Sequence, residues 1–401
     1  MKKIPFIGLP VVVLVFFLTL VACPTDSGND DDTIKIRTAA QLDAIRDNLG
    51  GHYVLEADIN LASYTNWEPI GQFVPLSDEP EDQETPKLEL AFTGIFDGNG
   101  HKISNVVISD QTELGVGLFG CVAGDNGVVK NLVVENATVT GTMLVGGVIG
   151  YAQSGNLIEK ITLRGINTIT GNNLENGMVG GMVGGGFGDI KNCSANAAVI
   201  LNGSIGMGGI LAGGMEDGSF ISCSATGSVT VGSGAMIGIG GLAACGQNAA
   251  EITDCTADVT ITVQAENCIM IGGLLGYTGR YAPDAPTAIS ACTVRADITV
   301  PASAERVGGL VGSGFYSGMF AFMSSMPGYE FLAAPNAFKV TNSSTSGSIT
   351  GGCTDLVGKI AGYIYDNSTV ESSCTSTMTI NGSAGAQTGG DKNSAGLDTL
   401  N

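Results

Sequence analysis

Two aspartates have the spacing that comes nearest to hydrolytic chemistry in this sequence. Asp258 lies in the phrase ADVTI and Asp297 in the related phrase ADITV, so we expect them at equivalent places in successive units of a repeat. Stacking of those units would hold the two carboxylates about 5 Å apart, which suits a retaining glycosidase. Arg295 is close enough in sequence to neutralise one of them. We favour the simpler interpretation that both carboxylates are hydrated on an exposed strand face.

The sequence gives little support for a catalytic histidine or for a metal site. His52 and His101 are the only histidines, and neither begins the HExxH pattern of a zinc protease. His101 follows the run Asp-Gly-Asn-Gly, which favours a tight turn over a loop that carries a catalytic base. No CxxC pair is present, so the sequence predicts no metal site and no cofactor. The acidic run 78–84 is interpreted as a solvated loop, with a weak calcium site as the alternative.

The positions of the cysteines indicate a role in core packing more than a role in redox chemistry. Five of the ten cysteines share one place in a repeated phrase: Cys193, Cys223, Cys255, Cys292 and Cys374. In another copy Ser343 or Ser344 stands at that place, so the shared requirement is a small side chain that points inward. Stacked units would also lie within the Cα separation that a disulfide tolerates, which leaves cross-links between neighbouring units as the alternative.

Aromatic residues are concentrated in one insertion, residues 313–337, which interrupts the repeat after Gly312. Its candidate binding residues are Phe315, Tyr316, Phe320, Phe322, Tyr329 and Phe331. The segment either folds back as a flap that buries its own aromatics or presents an apolar patch to a partner, and we favour the flap.

A repeated sequence phrase predicts the secondary-structure elements that position these residues. A phrase of two glycines, two apolar residues and Gly or Ala begins at Gly146, Gly180, Gly208, Gly240, Gly272 and Gly308. The steps between the copies are 34, 28, 32, 32 and 36 residues, a period typical of solenoids. Between the copies, small or β-branched residues alternate with polar ones, which indicates strands and excludes a helical period. We predict an all-β solenoid of eight to ten turns.

The repeat resembles the GLUG-repeat surface proteins of bacteria, whose fold is a right-handed parallel β-helix. The resemblance covers about residues 34–380 and extends to the opening segments TAAQLDAIRDNLGGHYVLEADINL, WEPIG and FTGIFDGNGHKISNVVI. It implies surface display and adhesion. The copies at Gly117 and Gly358 lack the double glycine and depart from the pattern. From the residues themselves, Thr38 to Asn48 is predicted to be a short capping helix, since Thr38 and Gln41 have capping-box spacing.

Both ends of the chain differ from the repeat. Lys2 and Lys3 precede an apolar run that ends in Leu-Val-Ala-Cys23, which resembles a lipoprotein signal peptide with Cys23 as the lipidated residue. The predicted organisation is a signal peptide (1–22), an acidic tether (23–33), a cap with the first turns (34–115), GLUG-type turns (116–380) and a polar tail (381–401).

The net charge of the chain limits the classes of molecule that it can bind. The formal net charge is −21, so the surface repels polyanions and binding of nucleic acid is not expected. Together with the lipoprotein-like N terminus, the resemblance to GLUG-repeat surface proteins implies an exported protein, lipid-anchored at the outer membrane or cell surface, that binds a protein or glycan ligand without catalysis. A polysaccharide lyase or glycosidase is the alternative, because β-helices also carry such enzymes and the fold alone does not decide.

Overall fold

The structure, a computed structural model, describes residues 33–75, 86–153, 155–279, 286–314, 338–351, 357–364 and 368–382. Cys23, the acidic run 78–84, the aromatic residues 315–337 and the tail from 383 onward lie outside the described residues. The described residues from Ile34 onward belong to one compact unit.

Nearly all of the described regular structure is parallel β-sheet. The strands form one large sheet of 29 short strands and a second sheet of eight, and each strand pairs in parallel with its equivalent one turn away. Such pairing between repeats is the arrangement of a parallel β-helix. The all-β solenoid prediction is therefore confirmed, with about one strand of the smaller sheet for each of eight turns.

The strand bounds follow the repeat closely. The smaller sheet contains Phe119–Val122, Ile149–Ala152, Val183–Phe187, Ala212–Glu216, Ala243–Gln247, Leu275–Gly279, Val311–Gly314 and Ala361–Tyr363. The larger sheet contains Ile34–Ile36, His52–Leu55, Ile59–Asn60, Ile95–Asp97, Lys102–Ser104, Val107–Ser109, Gly115–Val116, Val128–Glu135, Thr138–Gly141, Leu144–Gly146, Leu157–Arg164, Thr168–Gly180, Asp189–Lys191, Ser194–Gly209, Phe220–Ile221, Ser224–Val231, Ala235–Gly240, Glu251–Thr253, Thr256–Val263, Ile269–Gly272, Thr287–Ser290, Thr293–Val300, Glu305–Gly308, Phe338–Thr341, Ser344–Gly351, Val357–Gly358, Thr369–Val370, Thr375–Ser376 and Thr379–Ile380.

The Gly-Gly phrase forms the corner between the two sheets. Its first glycine is stacked in register in most turns, including the looser copy at Gly358. One turn departs by one residue from the register that the repeated phrase predicts. In that turn Gly209, and not Gly208, pairs with Gly180 and Gly240. At this position there is no room for a side chain: a Cβ on Gly240 would lie 1.8 Å from the carbonyl oxygen of Ala243.

A second corner places non-glycine residues in the left-handed region. The corner column contains Asn131, Lys160, Asn192, Ser222, Asp254, Ala291 and Asn342, with φ between 48° and 55°. Asn and Asp tolerate this conformation better than other L residues because their short polar side chains bond locally. Ala291 has no such side chain and carries the strain uncompensated.

We expect Ala291→Asn to stabilise the protein by about 0.5–1 kcal/mol, because it relieves part of the left-handed strain at an exposed site. Urea unfolding followed by circular dichroism measures the change. Ala288→Asn is the matched control on an exposed strand position, where Asn is disfavoured, so it should not stabilise. A lower unfolding midpoint for Ala291→Asn than for the unmodified chain would contradict the expectation.

Inward-pointing side chains stack into apolar columns along the axis. One column is Val199, Val229, Ile261, Ile298 and Ile349, each paired with the next and at most 2% exposed. Alternation along each strand puts these residues inside and their polar neighbours outside. Most of the core is consequently one continuous cluster that runs through the described turns, and two smaller apolar clusters lie apart from it.

The N-terminal cap agrees with the prediction. An α-helix covers Ala39–Asp43 and a 3-10 helix covers Ala44–Asp47, and Thr38 and Gln41 form a complete capping box. Leu42 and Ile45 of these helices are fully buried against the first turn. The cap thus covers strand ends that would otherwise be open to pairing.

Of the residues described, none belongs to a helix long and apolar enough to cross a membrane.

Candidate functional site

The two candidate carboxylates do not occupy equivalent positions. In the parallel ladder Asp258 pairs with Arg295, whereas Asp297 pairs with Thr260. The prediction of equivalence was wrong by two residues, which moves the expected separation of the two Cα atoms from about 5 to about 8 Å. Counting from the shared cysteines would have revealed the offset, since Asp258 is three residues after Cys255 and Asp297 is five after Cys292.

Arg295 connects these carboxylates in the structure. Its Nη1 lies 2.7 Å from Oδ1 of Asp258, and its Nη2 lies 3.6 Å from Oδ2 of Asp297. Asp297 also accepts a 2.9 Å hydrogen bond from Ser348 Oγ of the next turn. The hydrogen bond to Asp258 raises the pKa of Arg295 further, so the guanidinium stays charged between the two acids. Arg295 thus lies between the two carboxylates and contacts both of them. An inverting glycosidase needs that space for a water molecule.

His101 forms part of a turn, as the sequence predicts. Asn99 and Gly100 both have positive φ, at 50° and 77°, and the His101 amide donates a 2.8 Å hydrogen bond to the Gly98 carbonyl. Its ring Nδ1 lies 3.2 Å from Oδ1 of Asp58, an exposed carboxylate whose pKa is lowered by the backbone amide of Lys102 and by this histidine. In the part of the chain that the structure describes, no group of three potential metal ligands comes together.

The shared cysteines point into the core, as predicted. Cys193, Cys223, Cys255 and Cys292 are at most 1% exposed. Each thiol donates to the carbonyl two residues earlier, at 3.3 Å, and Ser343 Oγ makes the same bond at 2.9 Å. The common bond explains why Ser replaces Cys at this place. All eight described cysteines are free thiols.

We expect these thiols to be unreactive in the folded protein. All eight described thiols are buried, which leaves no path for a reagent, and burial raises the pKa of Cys121, Cys193 and Cys245. The Cys23→Ala/Cys353→Ser chain retains only the eight described cysteines. Thiol titration should detect no reactive thiol in this folded chain and eight reactive thiols after it is unfolded in guanidinium. Fewer than eight after unfolding without reductant would show cross-links between turns.

One feature escaped the sequence prediction, an unbroken outward column of hydroxyls. The hydroxyl ladder contains Thr162, Ser194, Ser224, Thr256, Thr293, Ser344 and Thr375, each paired with the next. Its members are half-buried or exposed. The signal was present in the sequence, because a Ser or Thr follows every shared cysteine and Ser343.

A shallow groove opens at the N-terminal end of this ladder. It has a volume of about 390 Å³ and is lined by Asn99, Gly100, Asn131, Leu132, Val133 and Lys160. Val133 pairs with Thr162, so the groove occupies the ladder position one turn before the first hydroxyl. Asn131 Nδ2 donates a 3.0 Å hydrogen bond to Asp97 Oδ1. Lys160 Nζ lies 3.0 Å from Glu159 Oε1, so the ammonium group beside the groove has a carboxylate partner.

The remaining predicted residues have no described position. Cys23 and the aromatic set of Phe315, Tyr316, Phe320, Phe322, Tyr329 and Phe331 lie outside the described residues, so their roles stay predictions.

Comparison with known proteins identifies the repeat. The family model of the GLUG motif matches residues 237–262, which span the Gly240 phrase and most of the strand 256–263. Halomucin from Haloquadratum walsbyi is 30% identical over 173 residues, 42% of this chain and 2% of its own length. A protein of Evansella cellulosilytica, described as a candidate Gly-rich membrane protein, is 33% identical over 133 residues, 31% of this chain and 14% of its own length.

Solved structures with a similar course of the chain are distant in sequence. A candidate immunoglobulin A1 protease from Bacteroides ovatus is 18% identical, with a TM-score of 0.44 over 92% of this chain and 83% of that one. An IgA1 protease gives 19% identity and a TM-score of 0.43 over 87% of this chain and 22% of that one. The GLUG motif at residues 237–262 and the in-register turns together support a GLUG-repeat protein with a parallel β-helix fold.

Proposed function

We propose that the chain is a lipid-anchored cell-surface protein whose β-helix binds or displays, in adhesion to cells, matrix or glycans, without catalysis. The observation that carries the proposal is the stacking of the turns in register, since it creates a long outward column of hydroxyl side chains on a continuous core. Repeat proteins use such extended surfaces for binding. The membrane is reached through lipid on Cys23.

Two further observations support a place at the surface. Lys2, Lys3 and the apolar run up to Cys23 have the order of an export signal with a lipidation site. The names of two relatives, a halomucin and a membrane protein, agree with such a location, although the chain spans only 2% and 14% of their lengths.

The alternative function, cleavage of a polysaccharide, depends on Asp258 and Asp297. Their offset register and their shared contact with Arg295 give that alternative no support. A turnover assay on the glycans that the protein binds tests it directly. Turnover that disappears in Asp258→Ala would reverse the order of the two proposals.

Lipid anchoring is tested by Cys23→Ala in intact cells. We expect the unmodified chain to incorporate labelled palmitate, to sediment with membranes and to be digested by protease added outside the cells. The Cys23→Ala chain should take up no label and leave the membrane fraction, because the lipid supplies the anchoring energy. Cys353→Ala is the control and should behave as the unmodified chain. Equal labelling of the Cys23→Ala chain and the unmodified chain would contradict lipidation at this residue.

A further inference from the structure

The hydroxyl ladder differs from the rest of the surface in charge. None of its seven members is ionisable, although the chain contains 38 acidic and 17 basic residues. The next outward position along the same strands carries Asp258 and Arg295. A continuous neutral strip suits a neutral ligand, and the net charge of −21 on the chain disfavours an anionic one.

The ladder hydroxyls are also available for bonding. Within the described turns, a side-chain hydrogen bond joins only one neighbouring pair of the ladder, from Ser194 Oγ to Thr162 Oγ1 at 3.3 Å. Thr256, Thr293 and Thr375 are exposed. Each hydroxyl can both donate and accept, which is the capacity that a sugar hydroxyl requires.

The repeat distance selects an extended ligand. The Cα atoms of ladder residues on successive turns are about 4.8 Å apart, the spacing of neighbouring strands. This is close to the advance of one pyranose ring in an extended β-linked polysaccharide, so successive sugars can meet successive turns without strain. A small molecule would use one or two members and gain nothing from the other five.

The groove supplies a defined end to this strip. Asn99 and Asn131 provide amide groups and Lys160 an ammonium group around a space of about 390 Å³. Such a space accommodates a sugar ring, and its donors suit ring and hydroxyl oxygens. Because Val133 lines the groove and pairs with Thr162, a chain that ends in the groove continues directly onto the ladder.

We propose that the hydroxyl ladder and this groove together bind an extended neutral polysaccharide that lies along the axis of the β-helix. This inference rests on the proposed function and names the ligand class of the binding surface. The polysaccharide contacts the outward hydroxyls that follow the inward cysteines, and one of its ends is seated at Lys160. No bond of the polysaccharide is made or broken.

Affinity electrophoresis of the full chain in detergent tests the proposal. The gels contain hydroxyethylcellulose, arabinoxylan or galactomannan as neutral probes and alginate as the anionic probe. We expect retardation by at least one neutral probe and none by alginate. Thr256→Val/Thr293→Val removes two hydroxyls but keeps the β-branched shape, and should weaken binding about tenfold. Thr262→Val/Thr299→Val removes two hydroxyls from a separate outward column, six residues further along the same strands, and should bind as the unmodified chain.

Lys160→Asn examines the groove separately, because Asn tolerates the left-handed backbone at this position. We expect it to weaken binding about threefold, the loss of one exposed contact. Equal melting temperatures must accompany the comparison of all variants.

The proposal is overturned if no neutral probe retards the unmodified chain, if alginate retards it more strongly than the neutral probes do, or if both double variants bind alike. Adhesion of cells that display the same variants separates the two levels of inference. Adhesion that persists in Thr256→Val/Thr293→Val keeps the proposed function and removes the ladder as its site. Loss of surface location in the unmodified chain removes the proposed function itself.

Discussion

Replacement of Gly272 by alanine is expected to lower the free energy of unfolding by about 3 kcal/mol, at the upper end of the cost of overpacking. The added Cβ would lie 1.8 Å from the Leu275 carbonyl oxygen, on the same corner of the same turn. Only a backbone shift relieves the overlap, and Gly240 and Gly308, one turn away on each side, restrict that shift. Urea unfolding measured by circular dichroism gives the change in stability.

Gly50→Ala is the matched control for this prediction. A Cβ there would meet its nearest neighbour, Thr93 Oγ1, at an ordinary contact distance of 3.6 Å. We expect its unfolding free energy to stay within about 0.5 kcal/mol of the unmodified value. An unchanged urea-unfolding midpoint for Gly272→Ala would contradict the prediction. It would show that the backbone at this corner can move to accept a Cβ atom without loss of stability.

Trp67→Ala should have the second large effect, a loss of about 3–5 kcal/mol confined at first to the N-terminal cap. Trp67 is fully buried, and Tyr64 packs edge-on against it at 5.1 Å between ring centroids. The Arg46 guanidinium lies 4.6 Å from the ring centroid, so removal of the indole also takes away a cation–π partner. Hydrogen exchange should show lost protection in residues 34–60 before the later turns, because each turn contacts mainly its neighbours.

Two controls accompany the tryptophan variant. Trp67→Phe keeps an aromatic ring and should cost clearly less than the alanine change. Ile166→Ala removes an apolar side chain that is 83% exposed, and should change the stability by no more than about 0.5 kcal/mol. Uniform loss of protection along the whole solenoid would contradict a local role of Trp67 in the cap.

Local features of the fold could be predicted from the sequence because they depend on neighbouring residues only. The capping box needs Thr38 and Gln41 three residues apart, and the structure has it. The inward cysteines follow from the alternation of small and polar residues, which strand geometry converts into inside and outside. The turn at Asn99 and Gly100 follows from residues that accept positive φ.

Register was predicted wrongly where similar phrases were matched to one another without counting from the shared cysteines. The Gly208 copy begins with two glycines like its neighbours, yet Gly209 is the residue that stacks on Gly180. Asp258 and Asp297 lie in similar phrases, yet Arg295 is the residue stacked on Asp258. Strand alternation has a period of two, so similar phrases fit the sheet at more than one offset, and packing of the whole turn selects among them.

The sequence by itself determined the repeat, the β class, the cap and the inward direction of the shared cysteines. Each of these is set by the properties of residues within one turn. The tertiary structure decided which of several similar phrases in different turns are stacked on each other, because similar phrases fit the sheet at more than one offset. That decision separated the two candidate carboxylates and placed the Arg295 guanidinium in contact with both.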